Sequence, residues 1–238
     1  NSGIISGFGS GILVSATSGV SSSADILLDN NSKIINSNYG INSNSLNNTN
    51  IAIKEGSEIN AKLAAIYLNN QINNQINNQT SSSISDIVNG GKIGSENGKI
   101  VGSTNANRSQ VNINNTATGF MKGYVELLGT GVSKIDNTGT WDMSGYESNT
   151  KGANTLVNNG TLITANKDIL GTQTSTFTNV GTFTNVGLLT LDNEKVGDTT
   201  IIDGEYVGQG GTLSLNTDLD DDSSLSDKLV ITGTATGT

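Results

Sequence analysis

Chemistry has few places to reside in this chain. Its 238 residues include no histidine and no cysteine. That removes Ser-His-Asp catalysis, thiol chemistry and the zinc centres built from those ligands. Carboxylates remain, and the densest group is the run Asp218-Leu219-Asp220-Asp221-Asp222 that continues to Asp227. Hard oxygen ligands of this kind can hold calcium. The run lacks the spacing of an EF-hand loop and no Gly-Gly-x-Gly-x-Asp repeat accompanies it, so a solvated acidic turn is expected, with no metal and no cofactor. Glu55 and Glu58 are close enough in sequence for an acid pair. Lys54 and Lys62 stand beside them, however, and predict an exposed polar face. Trp141 is the single tryptophan and is either a ligand-stacking platform or a core residue.

Charge narrows the partners. The net charge is −9, with one arginine, Arg108, and no basic run. Neutralising phosphates needs clustered Lys and Arg, which excludes nucleic acid, heparin-like polymers and anionic membranes as expected partners. No apolar stretch reaches the 18 or so residues of a membrane-spanning helix, so no membrane insertion is expected. Hydrophobic residues make up 33% and aromatics 4%, while Gly reaches 30 residues. This composition predicts a thin aliphatic core with many tight turns, the economy of a solenoid in which each coil buries a few side chains against its neighbours. The chain starts at Asn1; an export signal, if made, is expected to have been removed before this point.

The elements that position these residues recur. Apolar residues at Ile26, Leu28, Ile34 and Ile41 return at Ile51, Ile53, Ile59 and Ile66, each at an offset of 25. The last three return at Ile87, Ile93 and Ile100, at an offset of 34. The nine added residues fall within an Asn/Gln-rich insertion between about 67 and 84. Its tract of Asn69, Asn70, Gln71, Ile72, Asn73, Asn74, Gln75, Ile76, Asn77, Asn78 and Gln79 is either a solvated low-complexity loop or a protruding contact surface, with a short amphipathic helix as a third possibility. Residues 1–25 are Gly- and Ser-rich and read as a cap or an irregular first coil. Between 103 and 130 the phase is lost, and a loop is expected around 105–109.

A shorter repeat follows. Asn137-Thr138-Gly139-Thr140-Trp141 returns as Asn158-Asn159-Gly160-Thr161-Leu162 and as Asn179-Val180-Gly181-Thr182-Phe183, at an offset of 21. A half-echo, Asn185-Val186-Gly187-Leu188-Leu189, comes six residues later. Asn-x-Gly predicts a turn in which Gly takes positive φ and Asn bonds its own backbone. Two core columns are expected: Ile34, Ile59 and Ile93, then Trp141, Leu162 and Phe183. Coils of about 21–25 residues with short strands predict an all-β fold, a parallel β-helix; the Leu-x-x-Leu-x-Leu pattern of leucine-rich repeats is absent.

Towards the C-terminus, Gly197-Asp198-Thr199-Thr200-Ile201-Ile202-Asp203-Gly204-Glu205-Tyr206-Val207-Gly208-Gln209-Gly210-Gly211-Thr212-Leu213-Ser214-Leu215-Asn216-Thr217 and Asp227-Lys228-Leu229-Val230-Ile231 resemble the end of pertactin-like (AIDA-type) autotransporter passenger domains. The resemblance rests on Tyr206, Gly208, Gly210, Gly211, Leu213, Leu215, Asp227 and Leu229. It implies type V secretion, a right-handed parallel β-helix exported through its own C-terminal β-barrel, and a terminal region (197–238, above coils at 26–196) that folds first and templates the rest. The passenger is expected to continue beyond Thr238 towards that barrel.

The absence of histidine excludes the serine-protease branch of that family. Polysaccharide lyases share the fold, but fold alone does not decide function, and the acidic and basic residues here form no obvious site. The expectation is therefore a non-enzymatic, extracellular protein, displayed on the outer-membrane surface or released. It would act as an adhesin binding a host cell-surface receptor or matrix protein, or itself. The alternative is a released agonist of a host receptor; a polysaccharide-acting enzyme comes third.

Overall fold

The computed structural model describes residues 3–15, 23–44, 48–69, 84–104, 110–129, 131–221 and 223–237. Among them there is no helix; 23 strands run parallel to their partners in successive coils. The strands form three sheets, A, B and C, which the chain visits in that order once per turn. Sheet A begins at Ile4–Ser6, sheet B at Ser10–Ser15 and sheet C at Ala24–Leu28. They end at Thr212–Ser214, Lys228–Ile231 and Ala235–Gly237. Between these limits lie about eight turns of a parallel β-solenoid.

The alternation in the sequence sets which face is buried. In Thr49–Ile53, Thr49, Ile51 and Ile53 point inward while Asn50 and Ala52 are half-buried outside. A strand this short has no independent stability. Stacked in register, Ile51 meets Ile26 below and Ile87 above, each buried aliphatic contributing about 1.5–3 kcal/mol. Sheet A stacks Ile5, Ile34, Ile59, Ile93, Met121, Trp141, Leu162, Leu189 and Leu213. Sheet C stacks Ile26, Ile51, Ile87, Ile113, Ile135, Leu156, Phe183, Tyr206 and Ala235. The 25-residue repeat is thus one turn, with Ile26 on Ile51, Ile34 on Ile59 and Ile41 on Ile66.

Three sequence expectations change. The 34-residue offset holds in sheet A, where Ile59 meets Ile93, but Ile87 stacks on Ile51 and Val101 on Ile66. Ile53 and Asn89 are paired, yet the corner after Asn89 is two residues shorter than the one after Ile53. A two-residue slip leaves the inward pattern intact, so the sequence does not reveal it. Second, Phe183 is buried but does not continue the column of Trp141 and Leu162; Leu189, from the half-echo, does. Phe183 lies in sheet C between Leu156 and Tyr206. The offset between these coils is 21 at Asp142–Ile163 in the coil below, but 29 at Glu147–Thr176 and 27 at Thr155–Thr182. The A-to-B corner at 164–173 is longer, and it breaks the repeat.

Third, Gly139, Gly160 and Gly187 are not at positive φ. A Cβ on Gly160 would lie 2.2 Å from the Gly139 carbonyl oxygen, and one on Gly187 2.2 Å from that of Gly160. Glycine is required here by close stacking of corner on corner. The asparagines two residues earlier point into the core and bond across coils. Asn89, Asn115, Asn137 and Asn158 each donate from Nδ2 to Oδ1 of the next, ending on Asn185, at 2.8, 2.8, 2.8 and 2.9 Å. All five are buried.

Candidate binding surface

Of the Asn/Gln-rich tract, only Asn69 belongs to the described residues. It sits in an exterior polar ladder, donating to Asn44 Oδ1 at 3.1 Å and accepting from Thr104 Oγ1 at 2.7 Å. Residues 70–83, the loop at 105–109 and Arg108 lie outside the described residues. Glu58 does not pair with Glu55; it takes the ammonium of Lys33, one coil below, at 3.1 Å.

The acidic run separates into two parts. Asp218, Asp220 and Asp221 are exposed, and the Ser223 hydroxyl and N–H hold the Asp221 carboxyl below its usual range. Asp227 is buried and accepts from the N–H of Asp198 at 2.9 Å and of Asn216 at 2.7 Å. Asp198, also buried, accepts from the Gln173 N–H at 2.5 Å and Asn193 Nδ2 at 2.7 Å. These two carboxylates close backbone groups between coils. No group of three or more His, Asp or Glu among the described residues is arranged to hold a metal.

Trp141 is fully buried and its Nε1 donates to the Gly123 carbonyl at 2.8 Å. The ring belongs to a row crossing the interior from sheet A to sheet C: Trp141–Phe177 at 5.8 Å, Phe177–Phe183 at 5.3 Å and Phe183–Tyr206 at 5.9 Å between centroids.

On the exterior, tyrosines collect along one edge. Of the five tyrosines, Tyr39, Tyr67, Tyr124 and Tyr146 are half-exposed on sheet B or its corner with sheet A. Tyr39 and Tyr67 have centroids 5.2 Å apart, and Tyr124 and Tyr146 5.7 Å. Lys99 lies 5.8 Å over the Tyr124 ring and bonds Glu126 at 2.5 Å. Burial pulls the Lys99 pKa down, but the hydrogen bond and charge of Glu126, with the two nearby tyrosines, outweigh it and raise the pKa. Glycines make room for the rings: a Cβ on Gly98 would lie 2.3 Å from Tyr146 Cε1, and one on Gly102 3.1 Å from Tyr67 Cδ2.

Beside this edge, on the outer surface of sheet A, lies a depression of about 190 Å³. Gly94 forms part of its floor; Phe120, Tyr146, Lys92, Lys122, Glu58, Asn60 and Ser95 line it. The register explains the hollow. Along one outward row Gly94 stands next to Asn60 and Lys122, so a missing side chain opens a gap. Lys92 stands beside Glu58 and Phe120 in the neighbouring row.

Residues 178–238 match the family model Autochaperone Domain Type 1. No curated protein and no solved structure gives a significant match. The autochaperone domain is found in autotransporter passengers, and beneath it here lie the stacked parallel coils of a β-solenoid. The matched region and the solenoid beneath it support a pertactin-like autotransporter passenger. Passengers of this kind are secreted or displayed at the surface, and export implies a C-terminal β-barrel as partner.

The autochaperone region forms the upper coils of the passenger. Tyr206 stacks on Phe183, Leu213 on Leu189 and Leu229 on Thr200. Gly208 pairs with Asn185 and ends the asparagine ladder. Gly210 has φ +76°, while a Cβ on Gly211 would meet Asn185 Nδ2 at 2.6 Å. Leu215 is 39% exposed and lies outside the core. Lys92, Gly94, Phe120, Lys122 and Tyr146 are not legible as a group in the sequence. They are up to 54 positions apart in numbering, and only the coil register brings them together.

Proposed function

We propose that this passenger is a non-enzymatic adhesin that engages host cells or matrix through the tyrosine-lined edge between sheets A and B. One observation carries the reading: four of five tyrosines gather there, half-exposed, on a chain with few aromatics. Tyrosine provides a large rigid contact area and a hydroxyl at low entropic cost, and it is enriched where protein surfaces bind. Sheet-borne residues hold such a surface more rigidly than loops. The autochaperone region serves as the nucleus on which the lower coils assemble.

The test is binding of labelled passenger to a panel of host cells and matrix proteins, beside the Tyr67→Ala/Tyr124→Ala variant. Saturable binding that the double variant loses, at unchanged thermal stability, supports the proposal. Equal binding by the variant places the contact elsewhere. Signalling by soluble passenger at concentrations far below those for attachment favours a receptor agonist.

A further inference from the structure

We propose that the depression on sheet A is a binding site for a single carboxylated sugar unit at the end of a glycan chain. The inference rests on the adhesin reading and assigns the ligand class of one end of that surface.

Gly94 is the first indication. Glycine weakens a strand interior and there marks close approach of another group. The corner glycines of this solenoid are enforced by their neighbours: a Cβ would lie 2.3 Å from a carbonyl oxygen at Gly139, and 2.2 Å from one at Gly160 and Gly187. At Gly94 the nearest atom would be 3.6 Å away. A side chain fits, and its absence leaves a hollow of about 190 Å³. That is below the roughly 300–1,000 Å³ of sites for drug-sized ligands and suits one ring.

Charge and shape give the class. The ammonium groups of Lys92 and Lys122 make no ion pair or hydrogen bond among the described residues, while Glu58 is already taken by Lys33. Strand geometry puts the two lysine Cα atoms about 8 Å apart on one face. Two free ammonium groups beside a neutralised carboxylate form a locally positive spot on a chain of net charge −9. The rings of Phe120 and Tyr146 supply apolar surface for a pyranose face, and the lysines supply charge-assisted donors for its carboxylate. A nucleic acid or sulfated polymer needs a track of such cations, whereas this spot has room for one acid group.

Saturation-transfer NMR of the whole passenger with glucuronate, N-acetylneuraminate and glucose tests this. One of the two acids should give saturable transfer, with glucose giving none. Lys122→Gln should weaken binding about tenfold, the loss of one charge-assisted contact. Gly94→Val should abolish it without lowering thermal stability, because the added side chain fills the hollow. Equal transfer to glucose, no transfer to either acid, or unchanged binding by Gly94→Val overturns the site. So does binding of heparin fragments that single sugars fail to compete. Cell attachment, measured in parallel, separates the two readings: attachment retained by Gly94→Val refutes the site alone, whereas a wild-type passenger that attaches to nothing refutes the adhesin.

Discussion

Replacing Asn137 with alanine tests whether the interior of the solenoid depends on its polar ladder. Asn137 accepts from Asn115 Nδ2 and donates to Asn158 Oδ1, both at 2.8 Å, and to the Thr161 carbonyl at 3.1 Å. In the alanine variant Asn158 Oδ1 loses its donor from below. Asn115 Nδ2 keeps the longer contacts to Gly119 O at 3.3 Å and Thr140 O at 3.1 Å. A buried polar group left unpaired costs about 1–3 kcal/mol. One orphaned acceptor, one weakened donor and a small cavity together give an expected loss of about 2–4 kcal/mol. Asn112→Ala is the control. It removes a bond of equal length, 2.8 Å to Asp86 Oδ1, on the solvent side, and its effect should stay within about 0.5 kcal/mol. Urea unfolding followed by Trp141 fluorescence reads the global change. Amide exchange at the sheet C corner reads the local one, since repeat arrays lose cooperativity. Asn137→Ala/Asn158→Ala should cost less than the sum of the single changes, because it also removes the orphan. If Asn137→Ala costs no more than Asn112→Ala, the ladder does not stabilise the core.

Gly160→Ala, whose Cβ would meet Gly139 O at 2.2 Å, should destabilise by about 1–3 kcal/mol or more, while Gly94→Ala should be neutral or slightly stabilising; equal thermal shifts would refute the stacking account of the corner glycines. Trp141 should emit in the blue as a shielded indole, and a red, water-like spectrum would contradict its burial. The raised pKa of Lys99 means that its pair with Glu126 stabilises the fold below the ordinary lysine pKa of about 10.4 and loses that contribution as pH rises through the raised value. Glu126→Gln should therefore cost about 0.5–1 kcal/mol at pH near 8 and almost nothing once Lys99 has deprotonated, as read by denaturant melts at the two pH values. Phe183→Ala should slow refolding more than it speeds unfolding if the upper coils nucleate, and Ile59→Ala should do the reverse; stopped-flow kinetics showing the opposite order would remove the nucleus from that end.

The lower coils are legible in the sequence because two conditions coincide: isoleucine repeated at one inward position of each sheet and equal coil lengths. Ile26, Ile34 and Ile41 find their partners at one offset because each corner of that turn has the same length as the next. Where a corner changes length, side-chain type no longer reports register. Phe183 looks like the continuation of Leu162 because large apolar residues occupy inward columns of both sheet A and sheet C, and nothing local distinguishes the two sheets. The asparagine ladder is hidden for a related reason. Asn closely followed by Gly favours a turn in any sequence, and whether the amide faces water or its counterpart one coil away depends on which corner lies beneath. The depression needs still more: Lys92 and Lys122 become neighbours only through the pairing of Gly94 with Lys122. Phe120 lies in a stretch where the sequence loses its phase.

Register also bears on the autochaperone region. A stack of near-identical isoleucine rungs offers an incoming strand several almost equal pairings two residues apart, so aliphatic burial alone specifies register weakly. The upper coils differ. Phe183 stacks on Tyr206 and meets Phe177 edge-on, and Phe177 meets Trp141 edge-on in turn. Rings of such different sizes leave a cavity when one is displaced. Asn185 admits one geometry, its Oδ1 accepting from Asn158, and Asp227 and Asp198 each receive a specified backbone N–H. Groups that tolerate no slip are thus concentrated within and directly below residues 178–238. From there the asparagines carry the alignment down four further coils to Asn89, beyond which Ile53 takes the position. A nucleus at this end would transmit its register through hydrogen bonds that are either made or lost, leaving the uniform isoleucine coils to be placed last.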